Sequence, residues 1–307
     1  MIPSPFHADE LAAQALAGAG ASGGGIRSFM PDQHRSFFAL LPYLFIGAID
    51  DEGWPIATAL TGAPGFVHSP DPVTLRIEAL PDRSDPAAAG FTLGREIGVL
   101  GIDFGTRRRN RANGRIAALD AAGLTVAVRQ SFGNCPQYIQ RRDMQPASAM
   151  PSDAESFAAF DDETRRLIAK ADTLLVASKA RPESGAAGGA DISHRGGRPG
   201  FAHLDGDALV IPDFRGNRYF NTLGNLLGEP RGSLLFIDFA RGDLLQLQGT
   251  VEIDWSGEAA RRIEGAERLW RFRLARGWRR RGAFPLRGAF IDYAPTTERT
   301  GIWRAAE

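Results

Sequence analysis

The chain repeats itself, and that limits what it can fold into more than any other feature. Gly62-Ala-Pro-Gly-Phe-Val-His68 returns as Gly197-Arg-Pro-Gly-Phe-Ala-His203, and Ile102-Asp-Phe104 returns as Ile237-Asp-Phe239. Gly114 is matched by Gly249. The steps from 62 to 197, 102 to 237 and 114 to 249 are all 135 residues. One short match would mean little, but several at a single offset point to two copies of one structural unit. A chain of 307 residues has room for both.

Each copy reads as a helix followed by about six short apolar strands. In the first copy a helix over 33–41 turns Phe37, Phe38, Leu40 and Leu41 to one side, ahead of strands at 43–49, 56–61, 73–77, 99–104 and 124–130. A helical turn is expected at 91–96. In the second copy Ser152-Asp-Ala-Glu155 has the spacing of a capping box, opening a helix with Phe157, Phe160, Leu167 and Ile168 on one face. A strand at 173–178, a loose loop at 181–189, the strand-rich stretch 191–253, a helix at 254–265, a strand at 269–274 and a basic segment at 276–287 complete it. Short apolar strands with polar turns and few long helices favour antiparallel β-barrels over a parallel α/β sheet. The expected fold is therefore mainly β with helices: two tandem barrels, at 31–145 and 152–307. A Pro/Ala/Ser linker at 145–151 joins them. An N-terminal arm, 1–30, precedes them with a short helix at 9–16 and a glycine tract at 18–25.

Charge narrows the functional classes. The formal net charge is zero, which gives no electrostatic reason to expect a nucleic-acid or membrane partner. Arginine supplies nearly all the positive charge; Lys170 and Lys179 are the only lysines. Cys135 is the single cysteine, which excludes an internal disulfide and a Cys-rich zinc site. No run approaches the roughly 18–20 apolar residues that span a bilayer. Nothing at the start resembles a signal peptide, so a cytoplasmic location is expected.

The chemistry concentrates between Asp191 and Ile253. Asp213-Phe-Arg-Gly-Asn-Arg218 opens a polar turn that carries Asn217, Arg218 and Asn221, and Arg195 lies on a preceding strand able to aim at the same point. Arginine forks match phosphate oxygens in pairs, so this set suits a bound phosphate; it is equally what an ordinary solvated turn looks like. The copies have diverged here. The first has Glu78-Ala-Leu-Pro-Asp-Arg83 in place of the turn, but it carries Arg107, Arg108, Arg109, Arg111 and Asn113 where the second has Leu244, Leu245 and Gln246. One copy can thus supply the turn and the other a basic wall. Gln246 and Gln248 share a strand face that meets either a ligand or water. His194 is a candidate ligand contact. His68 and His203 read as structural, Cys135 as a small packed hydrophobe, and Arg279-Arg-Arg281 as surface.

Ser193-His-Arg-Gly-Gly197, the stretch from Ile211 to Asn225 and Pro230-Arg-Gly-Ser-Leu-Leu-Phe-Ile-Asp-Phe239, together with Ser131-Phe-Gly-Asn-Cys-Pro-Gln-Tyr-Ile-Gln-Arg-Arg142, resemble the pyridoxamine 5'-phosphate oxidase-like proteins. The resemblance implies split β-barrels that bind FMN where two barrels meet. It puts Arg195, Asn217 and Arg218 at the positions that hold the flavin phosphate; Ser193, His194, Asp213, Asn221, Arg109 and Gln246 are the further residues expected to contact such a cofactor. It implies an FMN-dependent oxidoreductase acting with a small-molecule substrate or electron donor. The alternative is a flavin- or haem-binding module of the same fold without turnover. It also implies pairing of barrels, as a homodimer or as an internal pseudo-dimer. The substrate-binding pattern at the C-terminus of the true oxidase has no counterpart here, so pyridoxamine phosphate itself is not implied.

Overall fold

The computed structural model describes residues 4–148 and 152–303, so part of the expected linker, 149–151, lies outside the described residues. Helix α1 (Ala8–Leu16) precedes α2 (Asp32–Leu40). Seven strands follow: β1 (Tyr43–Ile49), β2 (Pro55–Thr61), β3 (Val67–Asp71), β4 (Thr74–Ile77), β5 (Glu96–Asp103), β6 (Arg108–Asp120) and β7 (Gly123–Asn134). After β8 (Arg141–Pro146), β9 (Glu155–Phe157) and α3 (Asp162–Lys170) comes a second set: β10 (Thr173–Lys179), β11 (Ala190–Gly196), β12 (His203–Asp205), β13 (Ala208–Phe214), α4 (Asn221–Gly228), β14 (Arg231–Asp238), β15 (Asp243–Asp254) and β16 (Ala266–Arg280). Strand β17 (Leu286–Asp292) pairs with β8 in a separate ribbon.

Both sets are antiparallel and share one strand order, β2-β1-β5-β6-β7-β4-β3 in the first and β11-β10-β14-β15-β16-β13-β12 in the second, where β9 adds to the side of β16. The order itself shows that each sheet is curled. β2 and β3 lie at opposite ends of a seven-strand path, six spacings or about 29 Å apart if flat. Only residues 62–66 connect them, a length that reaches at most about 21 Å. The edges must therefore come round toward each other, which makes a split barrel. The connection 197–202 imposes the same on the second sheet.

The repeated motifs are the parts that this closure requires. A Cβ at Gly62 or Gly197 would sit 2.5 Å from the ring of Phe66 or Phe201, the residue that plugs the barrel end. Gly65 and Gly200 take φ of +95° and +87°, in the left-handed region that other residues avoid. Gly114 and Gly249 sit at matching β-bulges, against the backbone of Ala127 and of Arg273. Phe104 and Phe239, equivalent in the repeat, meet each other edge to face with ring centroids 5.2 Å apart.

Three apolar clusters result. One fills each barrel, and the third, with Phe45, Leu100, Ile102, Leu175, Ile192, Leu235 and Ile237, lies where the barrels pack together. Glycines let the backbones close up there. A Cβ on Gly98 would stand 2.9 Å from the Asp191 Cα and from the Ile192 nitrogen, and one on Gly47 would stand 2.9 Å from the Asp191 carbonyl oxygen.

Several sequence expectations need correction. The Ser152–Glu155 box starts no helix: Glu155–Phe157 is strand β9, because Gly277 of β16 leaves a gap that the Phe157 ring fills. Helix α3 starts later, capped by Asp161, whose side chain accepts from the Thr164 amide at 2.8 Å. Residues 254–265 form a turn around Gly257, at φ +69°, and a short 3-10 segment at Ala259–Arg262. Residues 91–96 make no helix either; Gly94 turns the chain at φ +81° into β5. Leu40 faces solvent at 70 % exposure, while Phe37, Phe38 and Leu41 are buried. The start of the basic segment, 276–280, extends β16 and buries Arg279 and Arg280; Arg281 follows the strand and is exposed. The helix of the N-terminal arm packs on α4. Its Glu10 backbone packs so tightly on α4 that a Cβ at Gly224 would lie 2.6 Å from the Glu10 Cα.

Because Gly98 touches backbone that cannot rotate away, Gly98→Ala should cost about 1–3 kcal/mol of stability. A thermal melt showing an unchanged midpoint would mean that the barrels do not pack this closely in solution.

Candidate functional site

Strand β6 of the first barrel lies against β11 of the second, and the rim of that junction holds a polar pocket of about 100 Å3. The alternation of side chains along β6 turns Arg109, Arg111 and Asn113 toward β11. Arg111 donates to both Asp191 oxygens at 3.2 Å and to the Ser193 hydroxyl, and it lies over the Phe132 ring at 5.2 Å. Asn113 donates to Asp191 at 2.8 Å. Ser193 Oγ is 2.6 Å from Thr222 Oγ1, which ties β11 to the first turn of α4. Arg109 donates from Nε to the Cys135 carbonyl at 2.9 Å, and its Nη1 is 3.3 Å from His194 Nδ1.

The second barrel supplies the opposite wall. Asp213, at the end of β13, takes Arg195 on one oxygen and Arg268 of β16 on the other, the latter at 2.5 Å. Arg268 also pairs with Glu267 at 2.9 Å. The turn after β13 brings Asn217 to Asn134, with an amide–amide contact of 3.0 Å, and puts Arg218 half-buried on the pocket wall. Helix α4 then starts at Asn221 with Phe220 as its N-cap, so its first amides, which have no partner inside the helix, stand at the pocket.

Strain collects here. Four non-glycine residues have positive φ among the described residues, and Tyr138, Arg218 and Phe220 of these line the pocket. Such conformations cost about 1–3 kcal/mol each and persist where the surroundings enforce them, commonly at ligand sites.

The electrostatics are lopsided. The pocket's ion pairs are Arg111 with Asp191, Arg195 and Arg268 with Asp213, and Arg268 with Glu267. Arg109 and Arg218 have no carboxylate partner among the described residues. Burial, then the charges of Arg111 and Arg195, push the Arg109 guanidinium below its usual range. Burial, then Arg109 and Arg195, push His194 well below its usual range, so its ring is neutral. With Arg109 donating to Nδ1, the His194 proton belongs on Nε2, which is buried without a partner. Arg111 Nε, Asn134 Nδ2 and Arg195 Nε are also buried and unpaired. All four orphans are N–H donors.

Of the residues expected from sequence, Arg109, Ser193, His194, Arg195, Asp213, Asn217, Arg218 and Asn221 line this one pocket. Asn221 turns its side chain away, to Glu10 at 2.5 Å, so its part in the pocket wall is chiefly backbone. Gln246 is elsewhere. It is fully buried between the barrels and donates to the Ala57 carbonyl at 2.9 Å and to Asp85 at 3.0 Å, because its strand face is covered by β2 and not by open space. Cys135 is exposed and not packed. His203 stacks on Trp303 at 5.4 Å, and His68 is exposed. Sequence reasoning missed Arg268 and Tyr138, which reach the pocket from β16 and from the connection after β7. The only signal was Arg268 three residues before Arg271 and five before Arg273, in a strand where a charge that pairs outward and one that pairs inward look the same.

Among the described residues no helix is long and apolar enough to cross a membrane. No protein-family description and no curated protein matches the chain. Among solved structures, a pyridoxinephosphate oxidase family protein related to general stress protein 26, from Clostridium acetobutylicum, is 16 % identical with a TM-score of 0.31 and covers 42 % of this chain and 92 % of its own. An FAD-binding protein from Mesorhizobium loti is 10 % identical with a TM-score of 0.29, covering 42 % and 97 %. The haem storage protein HutZ from Vibrio cholerae is 14 % identical with a TM-score of 0.24, covering 38 % and 90 %. At these values the likenesses carry no argument about what this chain does.

Helix α1 straps α4 over the pocket and titrates near neutrality. Burial raises the Glu10 carboxyl to about 7. A raised folded-state pKa means that the docked helix favours the protonated acid, so this contribution is complete below about 4.5 and is lost as pH climbs through 7. His7, which contacts Asn225 at 2.8 Å and is pushed down by burial, loosens the strap in the opposite direction, as pH falls below its usual value. Hydrogen exchange in α1, corrected for intrinsic rate, should therefore accelerate as pH climbs from about 6.5, above which His7 no longer opposes the change, through about 7. Glu10→Gln should remove that rise and keep the acid-side one; an unchanged profile in the variant would exclude Glu10 as its source.

Proposed function

We propose that the pocket holds the phosphate of FMN and that the chain is a flavoprotein, working as an FMN-dependent oxidoreductase on a small substrate or electron donor. The observation that supports this reading most is the one-sided chemistry of the pocket: unpaired N–H donors and two uncompensated guanidiniums, with the start of a helix at the same place. Such a set suits an acceptor-rich dianion. The volume of about 100 Å3 suits a phosphate group enclosed by the pocket and a ring system lying beyond it.

In this reading Arg195 and Arg218 hold phosphate oxygens, the first amides of α4 complete the cradle, and Arg109 reaches across from the first barrel. Asp213 fixes the Arg195 and Arg268 guanidiniums in place. Neutral His194 offers a hydrogen bond and no charge. The flavin, when bound, supplies the electron or hydride transfer; the protein binds it, orients it and shields it from water. The shared strand order and the 135-residue offset support a further part of the proposal, that the chain is a duplicated barrel whose two halves pair with each other as an internal dimer.

Purified protein should show a flavin spectrum or take up added FMN. Arg218→Ala removes one or more charge-assisted bonds of about 1.5–3 kcal/mol each, so FMN affinity should fall roughly ten- to a hundred-fold with the melting point little changed. Arg109→Ala should weaken binding as well, since the pocket is built from both barrels. Equal affinity in wild type and both variants would place the flavin elsewhere. A Soret band in place of a flavin spectrum would replace flavin by haem, and a bound flavin that no small reductant or NAD(P)H bleaches would make the protein a carrier.

A further inference from the structure

The barrels meet face to face, so the strand pair that builds the pocket has a twin. The 135-residue offset sets Arg109, Arg111 and Asn113 of β6 against Leu244, Gln246 and Gln248 of β15. The same offset sets Ser193, His194 and Arg195 of β11 against Thr58, Ala59 and Leu60 of β2. Register agrees: Arg111 pairs with Leu100 as Gln246 pairs with Leu235, and Ser193 pairs with Val176 of β10 as Thr58 pairs with Ile46 of β1. The contacts agree too. Arg111 crosses to Ser193, and Gln246 crosses to the neighbourhood of Thr58. The molecule therefore has two equivalent junctions, β6 on β11 and β15 on β2.

They are filled differently. At the second junction the chain inserts a carboxylate of its own. Asp85, 3 % exposed, receives the Thr58 hydroxyl at 2.5 Å, Arg280 Nη1 at 2.7 Å, the Ala87 amide at 2.9 Å and Gln246 Nε2 at 3.0 Å. The offset pairs Asp85 with Phe220, the residue that opens α4 beside the pocket. Where the second barrel follows its β13 with a basic turn and a helix start, the first barrel follows β4 with a loop that folds an anion inward. The charges balance: one carboxylate against one arginine, with hydroxyl, amide and backbone donors completing the shell. At the first junction four donors are left over; at the second Asp85 takes up all but Arg280 Nε.

We propose that the β15–β2 junction is an anion site closed by the chain's own Asp85 carboxylate, so that each chain binds one anionic ligand, at β6–β11, and none at the twin. The identity of that ligand rests on the FMN reading; the closure of the twin does not.

The test separates the two. Asp85→Ala leaves Thr58, Gln246 and Arg280 around a space the size of a small carboxylate. The melting temperature should fall by on the order of 10 °C, as expected when one partner of a buried pair is removed. Formate or acetate at tens of millimolar should restore a good part of the loss, chloride at equal ionic strength should not, and the wild type should show no such gain. If the variant does not fold, its refolding yield from denaturant takes the place of the melt, with formate again expected to restore it. Absence of rescue, or equal rescue of wild type and variant, overturns the proposal. FMN titration of the wild type should saturate at one per chain, and two per chain overturns it. If no FMN binds at all, the FMN reading falls and the Asp85 cradle is judged by the formate rescue alone.

Discussion

Everything in this molecule depends on how closely the two barrels approach. Gly47 and Gly98 let strands β1 and β5 rest on the backbone of Asp191 and Ile192, nearer than any side chain would allow. That contact excludes water from the apolar centre of the interface, where Phe45, Leu100, Leu175 and Leu235 pack. It also drives the charged groups at the margin to pair inside the protein, because an unpaired buried charge is expensive. Arg111 with Asp191, Gln248 with Asp50, and Arg280 with Asp85 are the result, at 3.2, 2.9 and 2.7 Å.

The pocket is where that pairing stops short. Along most of the interface donors and acceptors match, and only toward the start of α4 do guanidiniums outnumber carboxylates. This is a difference of filling, not of architecture, since equivalent strands, in the same register within their own sheets, meet at both junctions. A site arises from an otherwise closed interface by withholding an acceptor on one side and supplying it on the other. The N-terminal helix adds a third layer, with Asp9 bound to Arg181 and Glu10 to Asn221, and so couples the pocket's helix to a group that titrates near neutrality.

Much of the fold could be read in the amino acids. Strands β1, β2, β5 and β10 are short apolar runs bounded by turn residues, and period and punctuation locate them. The repeat announced two matching units because closing a barrel through a five- or six-residue connection needs the same glycines and the same plugging phenylalanine each time. Local signals failed where a neighbour decided. Ser152–Glu155 has helix-start chemistry, yet the gap at Gly277 draws Phe157 into a strand. Arg279 and Arg280 look like surface residues until Asp161 and Asp85 arrive from 118 and 195 positions away.

For the site, sequence alone grouped Asp213, Asn217 and Arg218, which belong to one strand end and its turn, so their nearness follows from chain connectivity; Arg195 lies on β11 at the opposite edge of the sheet and meets Asp213 only because the barrel closes. Tertiary structure decided what that chemistry faces. Arg109 and Arg111 reach the pocket because the first barrel docks on the second, and Arg268 because a distant strand pairs with β13. Gln246, on the strand equivalent to theirs, is sealed against Asp85. Whether a strand face meets a ligand or its own protein depends on what packs opposite it, and a linear pattern of alternating side chains holds no record of that.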